Sequence, residues 1–352
     1  MIDFPEVGKI QDDFLKSHVF PASGAVRGEV FKGPKYGVDT SVVNITESLS
    51  LITATDPASL IPTLGLKESA WLTVHLVASD IATAGSMPQY AQFCLNLPEY
   101  ITAAQFDEYW GWVSTFCEEL GVAITGGHTG KVQGQNSTVS GGVTMFSCVE
   151  TNSVLTSDMA KPGDDLILVK EPAIISTAIL ALSFPETIAN ACGEEVLRKG
   201  QELFYQSSAV QVANDAVSLG IHEDGIRAMH DATECGVMGA TIEMMMAAAC
   251  GVEIYEDRLV KGEVQQMIGD LFDYDPLYTV GAGALLISAN AKHSERITQS
   301  LAGKGYPVQI IGKVKEKEHG MLLMGKEKKQ LKHPGTDPYW NVFFDSLKKG
   351  LK

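Results

Sequence analysis

Five short motifs between Tyr36 and Gly236 constrain this chain's fold more than any other feature. They are Tyr36-Gly37-Val38-Asp39-Thr40, Ala54-Thr55-Asp56-Pro57, Ala78-Ser79-Asp80-Ile81-Ala82-Thr83-Ala84-Gly85, Gly126-Gly127-His128-Thr129 and His230-Asp231-Ala232-Thr233-Glu234-Cys235-Gly236. Most pair an acidic residue with glycine or with a helix start. Together they describe a site for a magnesium-bound polyphosphate. Carboxylates are hard oxygen ligands for the cation. Glycines let backbone N–H groups approach phosphate oxygens, and a following helix start adds its positive end.

At 352 residues the chain is long enough for about two domains. Lysine and arginine number 27 against 43 acids, a net charge of −16. That balance argues against nucleic acid as a partner, because phosphate backbones demand positive charge. The start, Met1-Ile2-Asp3-Phe4-Pro5-Glu6, is neither basic nor apolar, so no signal peptide is expected. The apolar run Met244–Cys250 is too short to span a bilayer, and no membrane contact is expected. The six cysteines are scattered without a CxxC pair. They read as reduced core residues of a cytoplasmic protein, not as a zinc site.

Strand and helix patterns alternate along the chain, which argues an α/β or α+β fold in two units. Strands are expected over Gly37–Ile45, Leu49–Thr55, Tyr90–Leu97, Val122–Thr125 and Thr138–Val149. Helices are expected over Gln11–Ser17, Trp71–Ala84 and from Thr102 to Gly121, where Thr102 and Gln105 have capping-box spacing. Lys161-Pro162-Gly163-Asp164 is turn chemistry and the expected domain boundary. Beyond it come strands Asp165–Lys170, Ile226–His230, Ala284–Ala289, Val308–Val314 and Met321–Met324. The helices there are Ile174–Ser183, Glu194–Leu219, Gly236–Ala249 and Ser294–Leu301.

Every motif has an ordinary reading beside the functional one. Asp39 fits an exposed strand face, and Asp56 before Pro57 fits a turn. Asp80 lies in an apolar helical run, where a charge is costly unless paired or ligating. His75, on the same run, reads as a satisfied histidine. Gly126 and Gly127 end an apolar strand, as a phosphate loop or a plain turn would. His128 is then a phosphate donor or a polar loop residue. Asp231 and Glu234 have the spacing of a helix N-cap and its partner; the same geometry lets Asp231 hold a metal while Thr233 to Gly236 meet phosphate.

In their order along the chain these motifs resemble the aminoimidazole ribonucleotide synthase superfamily. The likeness leans to its HypE-like branch through Val38-Asp39, Val74-His75-Leu76-Val77-Ala78-Ser79-Asp80, Gly126-Gly127-His128-Thr129, Lys161-Pro162-Gly163-Asp164 and Met229-His230-Asp231-Ala232-Thr233. The resemblance implies an α+β, two-domain architecture. The N-terminal domain would complete a β-barrel with a second copy, and the C-terminal domain would be an α/β sandwich of ferredoxin-like character. The implied division is an N-terminal helix and mobile glycine-bearing loop (1–35), an N-terminal domain (36–155), a C-terminal domain (160–325) and a tail without cysteine (326–352). ATP and magnesium are the implied cofactors. Asp39, Asp56, Asp80 and Asp231 would hold metal or phosphate. Gly126, Gly127, Thr129, Thr233 and Gly236 would approach phosphate, and Asp80, His128, Lys32 and Lys35 would serve the chemistry.

The implied function is ATP- and magnesium-dependent activation of a carbonyl or amide oxygen, or phosphoryl transfer to it. The alternatives are a small-molecule kinase similar to thiamine-monophosphate kinase and a non-catalytic nucleotide-binding dimer. A small-molecule substrate, a homodimer and a maturation-factor protein are the implied partners. One departure stands out: no cysteine follows Cys250, so the chemistry that the HypE-like branch runs on a terminal cysteine is not expected on this tail.

Overall fold

A computed structural model describes residues 8–10 and 12–352. Strands β1 (Val30–Lys32), β2 (Ser41–Asn44), β3 (Leu49–Ser59), β4 (Tyr90–Leu97), β5 (Ala123–Lys131) and β6 (Val139–Glu150) form one sheet. Their order is β1-β2-β3-β6-β4-β5. All neighbours are antiparallel except β4 and β5. On β4, buried Ala91, Phe93, Leu95 and Leu97 alternate with exposed Tyr90, Gln92, Cys94 and Asn96. A strand with one buried face shows this period of two. Among the described residues of one chain the sheet is open at its ends and forms no closed barrel.

Helices Leu66–Thr83 and Ala103–Glu119 cover the apolar face, placing Val74, Val77, Ile81, Tyr109 and Val113 against Ile52, Ala54, Phe93 and Met145. Thr102 and Gln105 form the expected capping box: the Gln105 N–H donates to Thr102 Oγ1 and the Thr102 N–H to Gln105 Oε1.

The second sheet contains β7 (Asp165–Val169), β8 (Ile226–Asp231), β9 (Gly251–Tyr255), β10 (Leu285–Ala289), β11 (Val308–Lys315), β12 (Met321–Met324) and β13 (Lys328–Gln330), in the order β13-β12-β9-β11-β7-β10-β8. Ile167, Val169, Met229 and Leu285 from this sheet share a core with Val74 and Val77. Helix Leu66–Thr83 therefore lies between the two sheets, which is why apolar residues surround it on nearly every side. That position carries Asp80, in its last turn, to the seam where β8 ends.

Some elements differ from the sequence expectations. The helix expected over Glu194–Leu219 is two helices, Glu194–Glu202 and Val210–Val217. Tertiary bonds hold the break: the Ala209 N–H donates to Ser79 Oγ at 2.9 Å, and Ser208 Oγ lies 3.0 Å from His75 Nδ1. Gln11 lies outside the described residues; after it the chain is helical in short pieces from Asp12 to Ala22. Helices Pro185–Cys192 and Glu263–Phe272 and strands β9 and β13 have no counterpart in the sequence reading. The C-terminal tail carries a helix, Pro338–Lys348, with Tyr339 and Phe343 packed against Phe184 and Tyr274. Among the described residues no single helix is long and apolar enough to cross a membrane.

Candidate magnesium and phosphate site

Four of the sequence motifs meet at the seam between the sheets. The first arrives on the segment before β2. Gly37 there has φ of 74°, and a Cβ on it would lie 2.2 Å from the Glu243 carbonyl oxygen. Only glycine lets the backbone press this closely on helix Gly236–Ala248. The Tyr36 hydroxyl donates to Glu243 Oε1 at 3.0 Å, which fixes Asp39 three residues on. Asp56 projects from β3 on the same face as buried Ala54 and Ala58. Asp80 comes from helix Leu66–Thr83, and Asp231 is the last residue of β8.

Ligand atoms of Asp39, His230 and Asp231 all lie within 4.8 Å of one another. His230 Nδ1 is 2.8 Å from Asp39 Oδ2, and its Nε2 stands 3.6 Å from Glu243 Oε2, an electrostatic contact too long for a hydrogen bond. Burial opposes a charge on His230, but Asp39 and Glu243 outweigh it and raise its pKa to about 10. It is thus an imidazolium at neutral pH. An imidazolium donates protons and does not ligate metals.

The carboxylates behave oppositely. Burial, then the Asp39 charge, raises the pKa of Asp231 to about 7. Its neighbour Asp56 also rises to about 7, through burial and the charges of Asp39 and Glu234, with Lys9 opposing. Asp80 is pushed well above the carboxylate range by burial first and by Asp56, Asp231 and Asp39 next. Asp231 is 2% exposed, and among the described residues its Oδ2 has no hydrogen-bond partner. Crowded carboxylates and an orphaned buried oxygen fit a divalent hard cation, which would satisfy the oxygen and relieve the repulsion. The residues present therefore suit magnesium.

Beyond Asp231 the chain turns into helix Gly236–Ala248. The Asp231–Glu234 capping pair does not form, because the helix starts only at Gly236 and the Glu234 carboxylate accepts from the Lys9 N–H at 2.9 Å. Gly236 has φ of 60°, and a Cβ there would lie 2.7 Å from the Thr279 carbonyl oxygen. The Thr233 carbonyl accepts from the Gly236 and Gly281 N–H groups. The Cys235 N–H is already taken by Asp337 Oδ2, from the C-terminal tail, at 2.5 Å. Cys235 itself is left-handed, with φ of 62°, and buried. Burial, with Asp337 and Glu234, pushes its thiol far above the usual range, so no reactive thiolate forms.

The other expected residues stand elsewhere. Gly126, Gly127, His128 and Thr129 lie inside β5, an edge strand running parallel to β4, and not in a turn after a short strand. Gly127 is required by strand packing: a Cβ there would lie 1.9 Å from the Phe93 carbonyl oxygen. His128 is in register with exposed Cys94, so it sits on the open face of the sheet, opposite Asp56. Lys32 and Lys35 are both bonded to Asp158.

Lys9, His333 and Glu243 complete the setting, and sequence reading passed over them. Glu243 Oε2 accepts from Lys9 Nζ at 3.0 Å, and Oε1 lies 3.3 Å from His333 Nε2. A glutamate inside the buried helix Gly236–Ala248 was the signal that could have found it: a charge there needs partners.

Two family models match the chain: AIR synthase related protein, N-terminal domain, over residues 37–149, and AIR synthase related protein, C-terminal domain, over residues 161–324. A selenide, water dikinase from Caldanaerobacter subterraneus subsp. tengcongensis is 25% identical over 275 residues, 68% of this chain and 73% of that protein. Carbamoyl dehydratase HypE from Escherichia coli is 24% identical over 272 residues, 76% of each. A crystal structure of the hydrogenase maturation protein HypE in complex with ATP superposes with a TM-score of 0.66 at 17% identity, covering 96% of this chain and 99% of that one. The two family models together span most of the sequence, and the paired sheets and their seam follow the same division; the chain belongs to the AIR synthase related protein family.

Proposed function

We propose that this protein binds magnesium-ATP at the seam and uses it to activate a carbonyl or amide oxygen of a small molecule, or to transfer phosphoryl to it. The observation that carries this reading is the pairing of Asp39 and Asp231 within 4.8 Å, with an orphaned Asp231 oxygen and with Asp56 and Asp80 near enough to feel their charges. These carboxylates would hold magnesium, which neutralises phosphate charge. Thr233 and Gly236 stand at the helix start where phosphate would be met. Asp39 is kept in place by His230, and the low exposure of the cluster strengthens every charge interaction in it. Phosphoryl transfer asks a protein mainly for positioning and charge neutralisation, and this arrangement offers both. The relative solved with ATP bound supports the same reading.

Calorimetry with ATP, with and without magnesium, tests it. Binding that tightens roughly ten-fold or more with magnesium is expected, as for a charge-matched site. No binding at millimolar nucleotide with magnesium present would overturn the reading.

The working unit in this proposal is a homodimer. The face of the first sheet turned from its helices exposes Tyr90, Gln92, Cys94 and Cys148, with Phe146 stacked on Tyr90. Pairing two such faces would cover them and protect the β5 edge. Gly126 and His128 are in register with exposed Gln92 and Cys94 on that face, so their part in the site depends on the second copy; Gly127 and Thr129 are in register with buried Phe93 and Leu95. Light scattering at micromolar concentration should give twice the 37.8 kDa chain mass. A monomer with nucleotide binding intact would refute the arrangement.

A further inference from the structure

Two lysines of the segment that leads to Asp39 are both held by one carboxylate oxygen. Lys32 Nζ lies 2.9 Å and Lys35 Nζ 2.8 Å from Asp158 Oδ2. Thr156 Oγ1 donates to the other oxygen, Oδ1, at 2.5 Å. Asp158 is nearly buried, with 6% of its side chain exposed, whereas Lys35 is 45% exposed. The short turn Ser157–Met159 that carries Asp158 follows β6 and packs on β8 and on helix Gly236–Ala248, the two elements that flank the expected phosphate position. Ser157 Oγ also donates to the Gly37 carbonyl at 2.5 Å, tying the same turn to the segment that carries Asp39. Lys35 is four residues before Asp39, at most about 14 Å of chain.

A carboxylate oxygen gripped by two ammonium groups, beside a site built for an anion, has the chemistry of a phosphate oxygen. We propose that Asp158 is a positioning residue that stands in for phosphate: it holds Lys32 and Lys35 ready beside the seam and gives them up to the polyphosphate of the incoming nucleotide. This rests on the nucleotide reading of the site. No bond is made or broken; two ion pairs are exchanged for two others. Without a ligand, Asp158 prevents two ammonium groups from being left unpaired near the C-terminal sheet. With a ligand, it competes for them, so the protein gives up affinity for polyphosphate.

The test compares magnesium-ATP affinity in the parent, in Asp158→Asn, in the Lys32→Ala/Lys35→Ala variant and in the combined triple variant. Asp158→Asn should bind about three- to ten-fold more tightly than the parent, with a steeper loss of affinity as salt rises. Lys32→Ala/Lys35→Ala should bind more weakly. In that background Asp158→Asn should change nothing, because the cations it releases are gone. Equal or weaker binding in Asp158→Asn overturns the proposal, as does a gain that survives without the lysines. If Asp158→Asn does not fold, the parent still decides: the Asp158 carboxyl ¹³C resonance must move on saturation with magnesium-ATP, and an unmoved resonance overturns the proposal. A parent that binds no magnesium-ATP sinks the nucleotide reading itself. A parent that binds, with no gain in the variant, sinks only the role of Asp158.

Discussion

Asp231→Asn and Asp80→Asn are expected to lose magnesium-dependent nucleotide binding by ten-fold or more while leaving the ligand-free protein as stable as the parent, or more stable. An amide keeps the shape of the carboxylate but offers a hard cation only a neutral oxygen. Stability should move the other way. Asp231 is 2% exposed and its pKa is raised from 3.8 to about 7 by burial and by Asp39. An acid with a raised folded pKa keeps its proton in the native state after the unfolded chain has lost its own. Native stability therefore declines as pH rises from 3.8 towards 7. That rise in pKa bounds the cost at about 4 kcal/mol above pH 7, and the amide removes it. Calorimetry and urea unfolding at pH 8 check both halves. A variant that binds magnesium-ATP like the parent shows that its carboxylate does not serve the metal. A variant that loses binding and several kcal/mol of stability together shows that the carboxylate is structural.

Glu243→Ala should be the most damaging single change to the fold. Glu243 is 2% exposed and accepts from Tyr36 Oη and Lys9 Nζ, with His333 and His230 beside it. Its pKa is held far below the usual range: burial works against the charge, and the nearby His230 and His333 and the charge of Lys9 outweigh it. Removing it strands the buried imidazolium of His230 with Asp39 alone and takes away one tie each from Lys9 and His333 to the same helix. Losing one partner of a buried ion pair typically costs about 3–5 kcal/mol. The exposed pair Arg198–Glu202 is the control, and Glu202→Ala should cost less than about 0.5 kcal/mol. Urea unfolding at pH 7.5 separates the two. Because the folded pKa of Glu243 is depressed, its contribution is complete above 4.5 and drains away as pH falls. The gap between parent and variant should therefore narrow in acid. A cost near that of Glu202→Ala would show that the network adds nothing net.

The parts of this protein that could be read from sequence are those with a local cause. The alternation along Tyr90–Leu97 announces a strand with one buried face, and the Thr102–Gln105 spacing announces a helix start; both form as expected. Asp80 was conspicuous because a charge in an apolar helix needs a reason. Asp39, Asp56, Asp80 and Asp231 were visible as motif residues, and it took the fold to bring them to one seam. The break at Ser207–Ala209 was invisible, because Ser79, more than a hundred residues earlier, takes the Ala209 N–H that a continuous helix would have bonded locally, and His75 meets the Ser208 hydroxyl beside it.

By itself the sequence determined the elements that have a local cause and the four motif aspartates, since propensity, capping and the period of apolar residues act within a few positions. Tertiary structure decided which charges face one another. Lys9 meets Glu243 across 234 residues, Lys32 meets Asp158 across 126, and His230 meets Asp39 across 191. It also decided that His128, though part of a glycine motif, stands on the opposite face of the sheet from Asp56. The physical reason is that burial and Coulomb interaction depend on distance in space, which a linear pattern does not encode.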